Sequence, residues 1–347
     1  MAYTSIDNPE LYFQTVLYTG TGSENAITLG GDEDMQPDLT WLKRRDATGS
    51  FRLFDSVRGA TKEIYSDAAN AESTEAQTLK SFDSDGFTMG TDAASNGSSR
   101  TYAAWNWKAG GSASSNSNGS ITSSVSASTD AGFSIVSWTG NGTAGATVGH
   151  GLGVTPKMII VKKRSGVSTW NVYDETIGNT KGLYLNTTDA TTTYTGFWND
   201  TSPTSSVFSV GADNTTNSAT YIAYCFSDVK GYSKFGSYTG NGNADGTFVY
   251  TGFRPAFVIW KASDAAENWW LMDSVRTPSN VVNRLLRPNT TDEELVDNAN
   301  MKIDMLSNGF KPLGTDSALN GSGNNYIYMA FAEAPFVNSN GVPCNAR

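Results

Sequence analysis

The sequence predicts an all-β protein made of three tandem β-sandwich, jelly-roll-like units of about 100 residues each. Three observations predict it. A hexapeptide recurs as LYTGTG (17–22), SWTGNG (137–142) and SYTGNG (237–242). Further landmarks keep step with it along the chain. The composition, finally, favours strands: 16 Phe, 15 Tyr and 9 Trp suit pleated, half-buried surfaces, while 35 Gly with many Ser, Thr and Asn supply turns.

Each landmark marks an element. After the hexapeptides come PDLTWLK (37–43), PKMIIVK (156–162) and PAFVIWK (255–261), which read as strands ending at a lysine. Twelve residues beyond each lysine stands an aspartate, Asp55, Asp174 and Asp273, closing FRLFD, WNVYD and WWLMD. The first and third continue alike, as DSVRG (55–59) and DSVRT (273–277). SDGFTMG (84–90) matches SNGFKPLG (307–314), with SSVFSVG (205–211) as a diverged middle copy. YAAWNW (102–107), YIAYCF (221–226) and YIYMAF (326–331) close the units. Helix signals are sparse: TEAQ (74–77) and TDEE (291–294) read as capping boxes opening one or two turns.

These landmarks divide the chain into an N-terminal arm (1–15), repeat 1 (16–108), a Gly/Ser-rich linker (109–131), repeat 2 (132–228), repeat 3 (229–337) and a C-terminal tail (338–347). A unit of this size can own a core, so beads on a string are expected, with units two and three in contact.

Alternation assigns faces. In the closing strands Ala103, Trp105 and Trp107, then Ile222, Tyr224 and Phe226, then Ile327, Met329 and Phe331 form a bulky face that must enter a core. The opposite face is smaller and mixed. If the lysine and aspartate strands pair as a hairpin, Leu39 lies opposite Asp55, and the lysine and aspartate stand ~13 Å apart. They are then no ion pair, and each marks where a strand meets solvent. The same register sets Leu42 opposite Arg52, Val161 opposite Asn171, and Trp260 opposite Trp270. The paired indoles are either ordinary packing or an aromatic platform for a sugar ring or partner. Tyr3, Leu11, Tyr12 and Phe13 make the N-terminal segment a candidate particle-anchoring arm.

Charge narrows the partners. The net charge is −10 without a basic block, so nucleic acid and anionic membranes are poor partners. The longest strongly apolar run, AFVIW (256–260), is far short of a spanning helix, and the N-terminus lacks a signal-peptide pattern. A soluble chain without membrane insertion or secretory leader is expected. Cys225 and Cys344 form neither a disulfide framework nor a zinc site.

The search for chemistry ends without catalytic, cofactor or metal residues. His150, the single histidine, sits between glycines and reads as a turn residue, since no nucleophile elbow accompanies it. Carboxylate pairs such as DED (32–34) or Asp83/Asp85 could serve a glycosidase, but nothing singles one out. DSDG (83–86) begins like a calcium loop, yet Thr88 and Ala94 stand where an EF-hand needs Gly and Glu. A different calcium site in that acidic loop stays open.

Several long phrases together resemble a family of repeat-containing proteins of tailed bacteriophages, especially marine and cyanobacterial phages. They are YFQTVLYTGTGS (12–23), FDSVRGATK (54–62), SFDSDGFTMG (81–90), YAAWNWKAGG (102–111), ATVGHGLGVTPKMIIVKKR (146–164), SPTSSVFSVG (202–211), GYSKFGSYTGNG (231–242) and DGTFVYTGFRPAFVIWK (245–261). The resemblance spans roughly residues 11–335. It implies a virion structural protein without catalytic residues, assembled in the host cytoplasm, whose partners are other virion proteins and a host surface glycan or receptor. Phage fibres being often trimeric, it implies a homotrimer. Within this class a tail fibre or adhesin is expected first, then a capsid decoration protein. A polysaccharide depolymerase and a host-side lectin are the minority readings. No shaft or coiled-coil heptad is present to make a long fibre.

Overall fold

The computed structural model describes residues 2–344. It is nearly all β, and every named strand pairs antiparallel. One strand order recurs three times. In the first unit the opening strand Phe13–Thr19 lies beside the closing strand Thr101–Trp107. Next come the lysine strand Leu39–Arg44, the aspartate strand Arg52–Asp55, then Lys62–Tyr65 and Ser73–Thr74. The second unit repeats this with Phe133–Thr139, Thr220–Phe226, Met158–Lys163, Trp170–Asp174, Lys181–Tyr184 and Thr192–Thr193. In the third unit the order is Ser233–Thr239, Asn325–Pro335, Phe253–Ala262 and Trp270–Asp273. A bridge between Leu271 and Leu286 carries it on to Arg284–Leu285 and Leu295–Val296.

A small second layer covers one face of each sheet. It consists of Asn25–Ile27, Gly86–Met89 and Leu79–Asp83 in the first unit, and of Val249–Tyr250, Gly309–Leu313 and Lys302–Leu306 in the third. The second unit keeps two such strands, Ala146–Gly149 and Val207–Val210. Between the layers lie three separate cores. Leu42, Phe87 and Tyr102 belong to the first, Val161, Phe208 and Tyr221 to the second, Trp260, Phe310 and Tyr326 to the third.

The other, bulkier faces all meet in one further core shared by the three sheets. Trp105, Trp107, Tyr224, Phe226, Met329 and Phe331 belong to it. Phe331 lies at its middle, its ring 5.2 Å from Phe13, 5.6 Å from Trp107 and 6.0 Å from Phe226. Beads on a string are therefore replaced by three sheets closed around a common centre. The physical reason is that each sheet is apolar on both faces, and a second layer covers only one.

The hexapeptide glycines explain their own recurrence. A Cβ on Gly20, Gly140 or Gly240 would lie 2.3–2.4 Å from the carbonyl oxygen of Gly97, Thr216 or Gly321. The opening strand can approach the turn before the closing strand only where no side chain intervenes. That turn carries the short helices Ala93–Asn96 and Ser317–Asn320, N-capped by Asp92 and Asp316.

Two other expectations about elements are corrected. The segment 109–131 is not a plain linker: Ser114–Asn116 and Ser123–Ser128 extend the second sheet beyond Phe133–Thr139. Val125 enters that unit's core and the Ser123 hydroxyl donates to Gly149 O (2.8 Å), so a polar segment gains a backbone ladder. Neither capping box starts a helix. Ser73–Thr74 and Leu295–Val296 are strands, and the amides of Glu72 and Glu294 are committed to neighbouring units instead.

The N-terminal arm is not free either. Phe13 is buried in the shared core, Tyr12 and Leu11 are half-buried, and Tyr3 donates to Gly252 O (2.8 Å). Of the C-terminal tail, 338–344 are described and 345–347 lie outside the described residues. The tail meets the arm where Ser339 N donates to Asp7 Oδ1 (2.6 Å).

Candidate functional site

The polar residues that recur in the sequence converge on the junctions between units. The lysine–aspartate register is as expected, with Leu39 opposite Asp55 and Trp260 opposite Trp270, and no lysine pairs with its own aspartate. Neither end meets solvent, however. Lys43, Lys162 and Lys261 are fully buried, as are Asp55, Asp174 and Asp273. The adjacent unit closes over each hairpin, which a single hairpin cannot reveal.

Each lysine caps carbonyls. Lys43 donates to Gly49 O and to Thr291 O of the third unit (2.9 Å). Lys162 donates to Ser168 O and to Ala69 O of the first unit (2.8 Å). Lys261 stays within its own unit, on Ala262 O and Ala265 O. Burial pulls all three ammonium groups down to a pKa of about 8.

Two junctions carry the same ionic quartet. Between the first and second units, Arg58 Nε meets Asp55 Oδ2 (2.5 Å), Arg58 Nη1 meets Glu72 (3.3 Å), and Glu72 takes Arg164 of the second unit (2.8 Å). Between the third and first, Arg276 meets Asp273 (2.5 Å) and Glu294 (3.1 Å), and Glu294 takes Arg45 of the first unit (2.9 Å). A donor from the neighbouring closing strand completes each aspartate. Tyr224 Oη donates to Asp55 Oδ2 (2.8 Å) and Trp105 Nε1 to Asp273 Oδ2 (3.1 Å). Burial alone would raise the Glu294 pKa, but Arg45, Arg276 and Arg284 outweigh it and hold the carboxyl at about 2. Glu72 is held below its usual range against burial by Arg164 and Arg58. Charges buried in this way persist because every one is paired and hydrogen-bonded.

The third junction, between the second and third units, keeps the backbone contact and loses the quartet. Thr191 N donates to Ser263 O (2.9 Å), as Glu72 N does to Arg164 O (2.9 Å) and Glu294 N to Arg45 O (3.0 Å). Ile177 stands at the place of Arg58 and Arg276, Thr191 at that of the glutamates, Ser263 at that of the second arginine, and Met329 at that of Tyr224 and Trp105. Asp174 alone remains. Its Oδ1 accepts from Thr176 N (2.9 Å) and Oγ1 (2.5 Å), while its buried Oδ2 has no partner. Burial raises its pKa to about 6 against the help of Thr176. A cavity of about 280 Å3 opens here, lined by Ile177, Thr191 and Ser263 among others.

Of the two readings of the paired indoles, their burial favours ordinary packing over a surface platform. Trp260 is 0 % and Trp270 6 % exposed, both packed inside the third unit. Trp260 Nε1 donates to Ala318 O (2.9 Å), and the Arg287 guanidinium lies 5.4 Å from the Trp270 ring centroid. The second layer covers this face of the sheet, and that cover is what the hairpin pairing could not show.

A different aromatic strip is exposed nearby. Phe248 (44 %) and Tyr250 (56 %) point outward two residues apart. Tyr250 pairs with Gly309, where an added Cβ would lie 3.0 Å from the Phe248 ring, so the glycine lets that ring lie on the strand. Tyr3 continues the strip, its hydroxyl 3.4 Å from that of Tyr250 and Lys230 Nζ 4.2 Å from its ring centroid. The alternation FVY (248–250) was the signal for it in the sequence.

The remaining candidates have structural partners. His150 is buried in its turn; Leu152 N donates to Nδ1 (3.2 Å), so Nε2 carries the proton and donates to Thr204 O (3.1 Å), and burial lowers the pKa. Asp83 accepts from Ser81 and Thr88 hydroxyls, and Asp85 from Met35 N. In the DED run, Asp32 N donates to Glu10 Oε2 (2.9 Å). Among the described residues no group of three or more His, Cys, Asp or Glu side chains is placed to hold a metal ion. Cys225 is buried and its thiol pKa is pushed up by burial, whereas Cys344 is exposed. No helix among the described residues is long and apolar enough to cross a membrane.

Fold and junctions together define an all-β protein whose sheets are closed on a common core and tied by buried ionic contacts. The chain belongs to the family described as a domain of unknown function (DUF7483), whose model matches residues 8–335. Neither the curated proteins nor the solved structures contain a match to it.

Proposed function

We propose that this protein is a structural component of a bacteriophage particle, a tail fibre or adhesin-type appendage that contacts the host surface. What supports the reading is where the polar chemistry lies: the recurring Asp, Arg, Glu and Lys are buried, and at two of the three junctions they tie neighbouring sheets together. The resemblance of several sequence phrases to phage repeat proteins points the same way. The contact surface is the exposed pair Phe248 and Tyr250 with half-buried Tyr3 beside them, and not the buried Trp260 and Trp270, since aromatic faces stack on the C–H faces of sugar rings.

Quantitative peptide mass spectrometry of purified particles tests the assignment. A few copies per particle, in multiples of three or six, is the expected result. Hundreds of copies would favour decoration of the capsid, and absence from the particle would overturn the proposal. Binding to host surface glycan should weaken about tenfold in Tyr250→Ala, a loss of about 1.4 kcal/mol. Release of reducing ends from that glycan would instead favour a depolymerase. Native mass spectrometry separates the homotrimer from a single chain that supplies its three sheets alone.

A further inference from the structure

Three equivalent junctions allow an internal comparison. At two of them the buried aspartate takes the guanidinium of its own unit's arginine, three residues on, and a Tyr or Trp donor from the neighbouring unit. At the junction of the second and third units both are missing, replaced in sequence by Ile177 and Met329. The Arg–Glu pair that spans the other two junctions is replaced by Ser263 and Thr191, and those shortened side chains line the cavity found there. The Thr191–Ser263 backbone bond remains, as does the Trp269 indole, which donates to Tyr184 O (2.9 Å), and where the chain crosses between the units Lys234 pairs with Asp228.

We propose that this junction is a pH-operated seam, loosened when Asp174 ionises and sealed when it is protonated. The charge would stand in a buried site with one oxygen unpartnered. Opening the seam hydrates it, so ionisation favours the open state. The charged groups around Asp174 do not neutralise it: Lys181 and Asp264 line the cavity, and neither bonds to it. Glu175, next along the chain, is engaged by Lys157 (2.6 Å), and Tyr328 of the third unit lies under the influence of Asp174 and Asp228. No ion pair to Asp174 forms among the described residues.

The sign follows from the raised pKa. With Asp174 near 6 when closed and near its ordinary value of 3.8 when hydrated, the closed seam is favoured below about pH 4. That advantage is lost as pH rises through 6. Between pH 5 and 7.5 the opening constant should rise roughly tenfold.

Hydrogen exchange on the intact chain tests this, with protection corrected for the intrinsic pH dependence of exchange. The Thr191 amide should lose about tenfold protection from pH 5 to 7.5, while the equivalent Glu72 and Glu294 amides keep theirs. Asp174→Asn should flatten the Thr191 response, and Ile177→Arg should restore protection at pH 7.5. An unchanged Thr191 amide, or a parallel loss at all three positions, would overturn the proposal. The comparison within the unmodified protein stands even if either variant fails to fold.

Discussion

Glu294 holds three arginines at once: Arg45 of the first unit (2.9 Å), Arg276 (3.1 Å) and Arg284 (2.8 Å). Its pKa, held at about 2, lies below the ordinary 4.5, so its stabilisation is present above pH 4.5 and is lost as pH falls toward 2. The size is up to about 3 kcal/mol. Glu294→Gln should remove that acid limb from a urea-denaturation series and cost about 3 kcal/mol at pH 7, because it strands buried guanidinium charge. Asp174 acts with the opposite sign, so these two groups together set a stability maximum near pH ~4. At this scale the sequence shows that a lysine and an aspartate recur, but not what they do. The partners of Lys43 and Asp55, Thr291 and Tyr224, lie far along the chain, and no local pattern announces them.

At the scale of elements, strand pairing was legible. The twelve-residue spacing and the apolar alternation specify one register, and Leu42–Arg52, Val161–Asn171 and Trp260–Trp270 all pair as it requires. What the strands face was less so. The smaller face of the closing strand, with Tyr102 and Ala104 or Tyr326 and Tyr328, is buried as well, and a strand apolar on both sides signals a sheet covered on both sides. Read that way, the shared core and the burial of Trp260 follow. The glycine of each hexapeptide is a sharper element-level constraint. Gly140→Ala would force a Cβ to within 2.4 Å of Thr216 O, and should lower stability by about 2–4 kcal/mol in chemical denaturation. A surface alanine such as Gly153→Ala is a poor control because φ is +73° there; Gly30→Ala, with open space around it, should change little.

At the scale of the molecule, the shared core decides how the protein unfolds. Removing the third unit, for example, would expose the bulky faces of the other two, including Trp107 and Phe226. Differential scanning calorimetry should therefore give one transition whose calorimetric and van't Hoff enthalpies agree, where independent units would give separate or broadened ones. The sequence pointed to private cores because each unit is long enough to own one. It does own one, and the fourth core at the centre is what composition and length leave open.

The Asp7–Ser339 contact and the hydrogen bond of Tyr3 to Gly252 bring the N-terminal arm and the described part of the tail together on the third unit. After passing through all three sheets the backbone thus comes back beside the arm, with Ser339 against Asp7. A permutant that links Ser339 to Asp7 through a short Gly/Ser segment and opens the chain at exposed Gly111, between units, should keep the same cores and the same junctions. Seen so, one sheet with its second layer is the building block, and the covalent order of the blocks is a convenience of the gene.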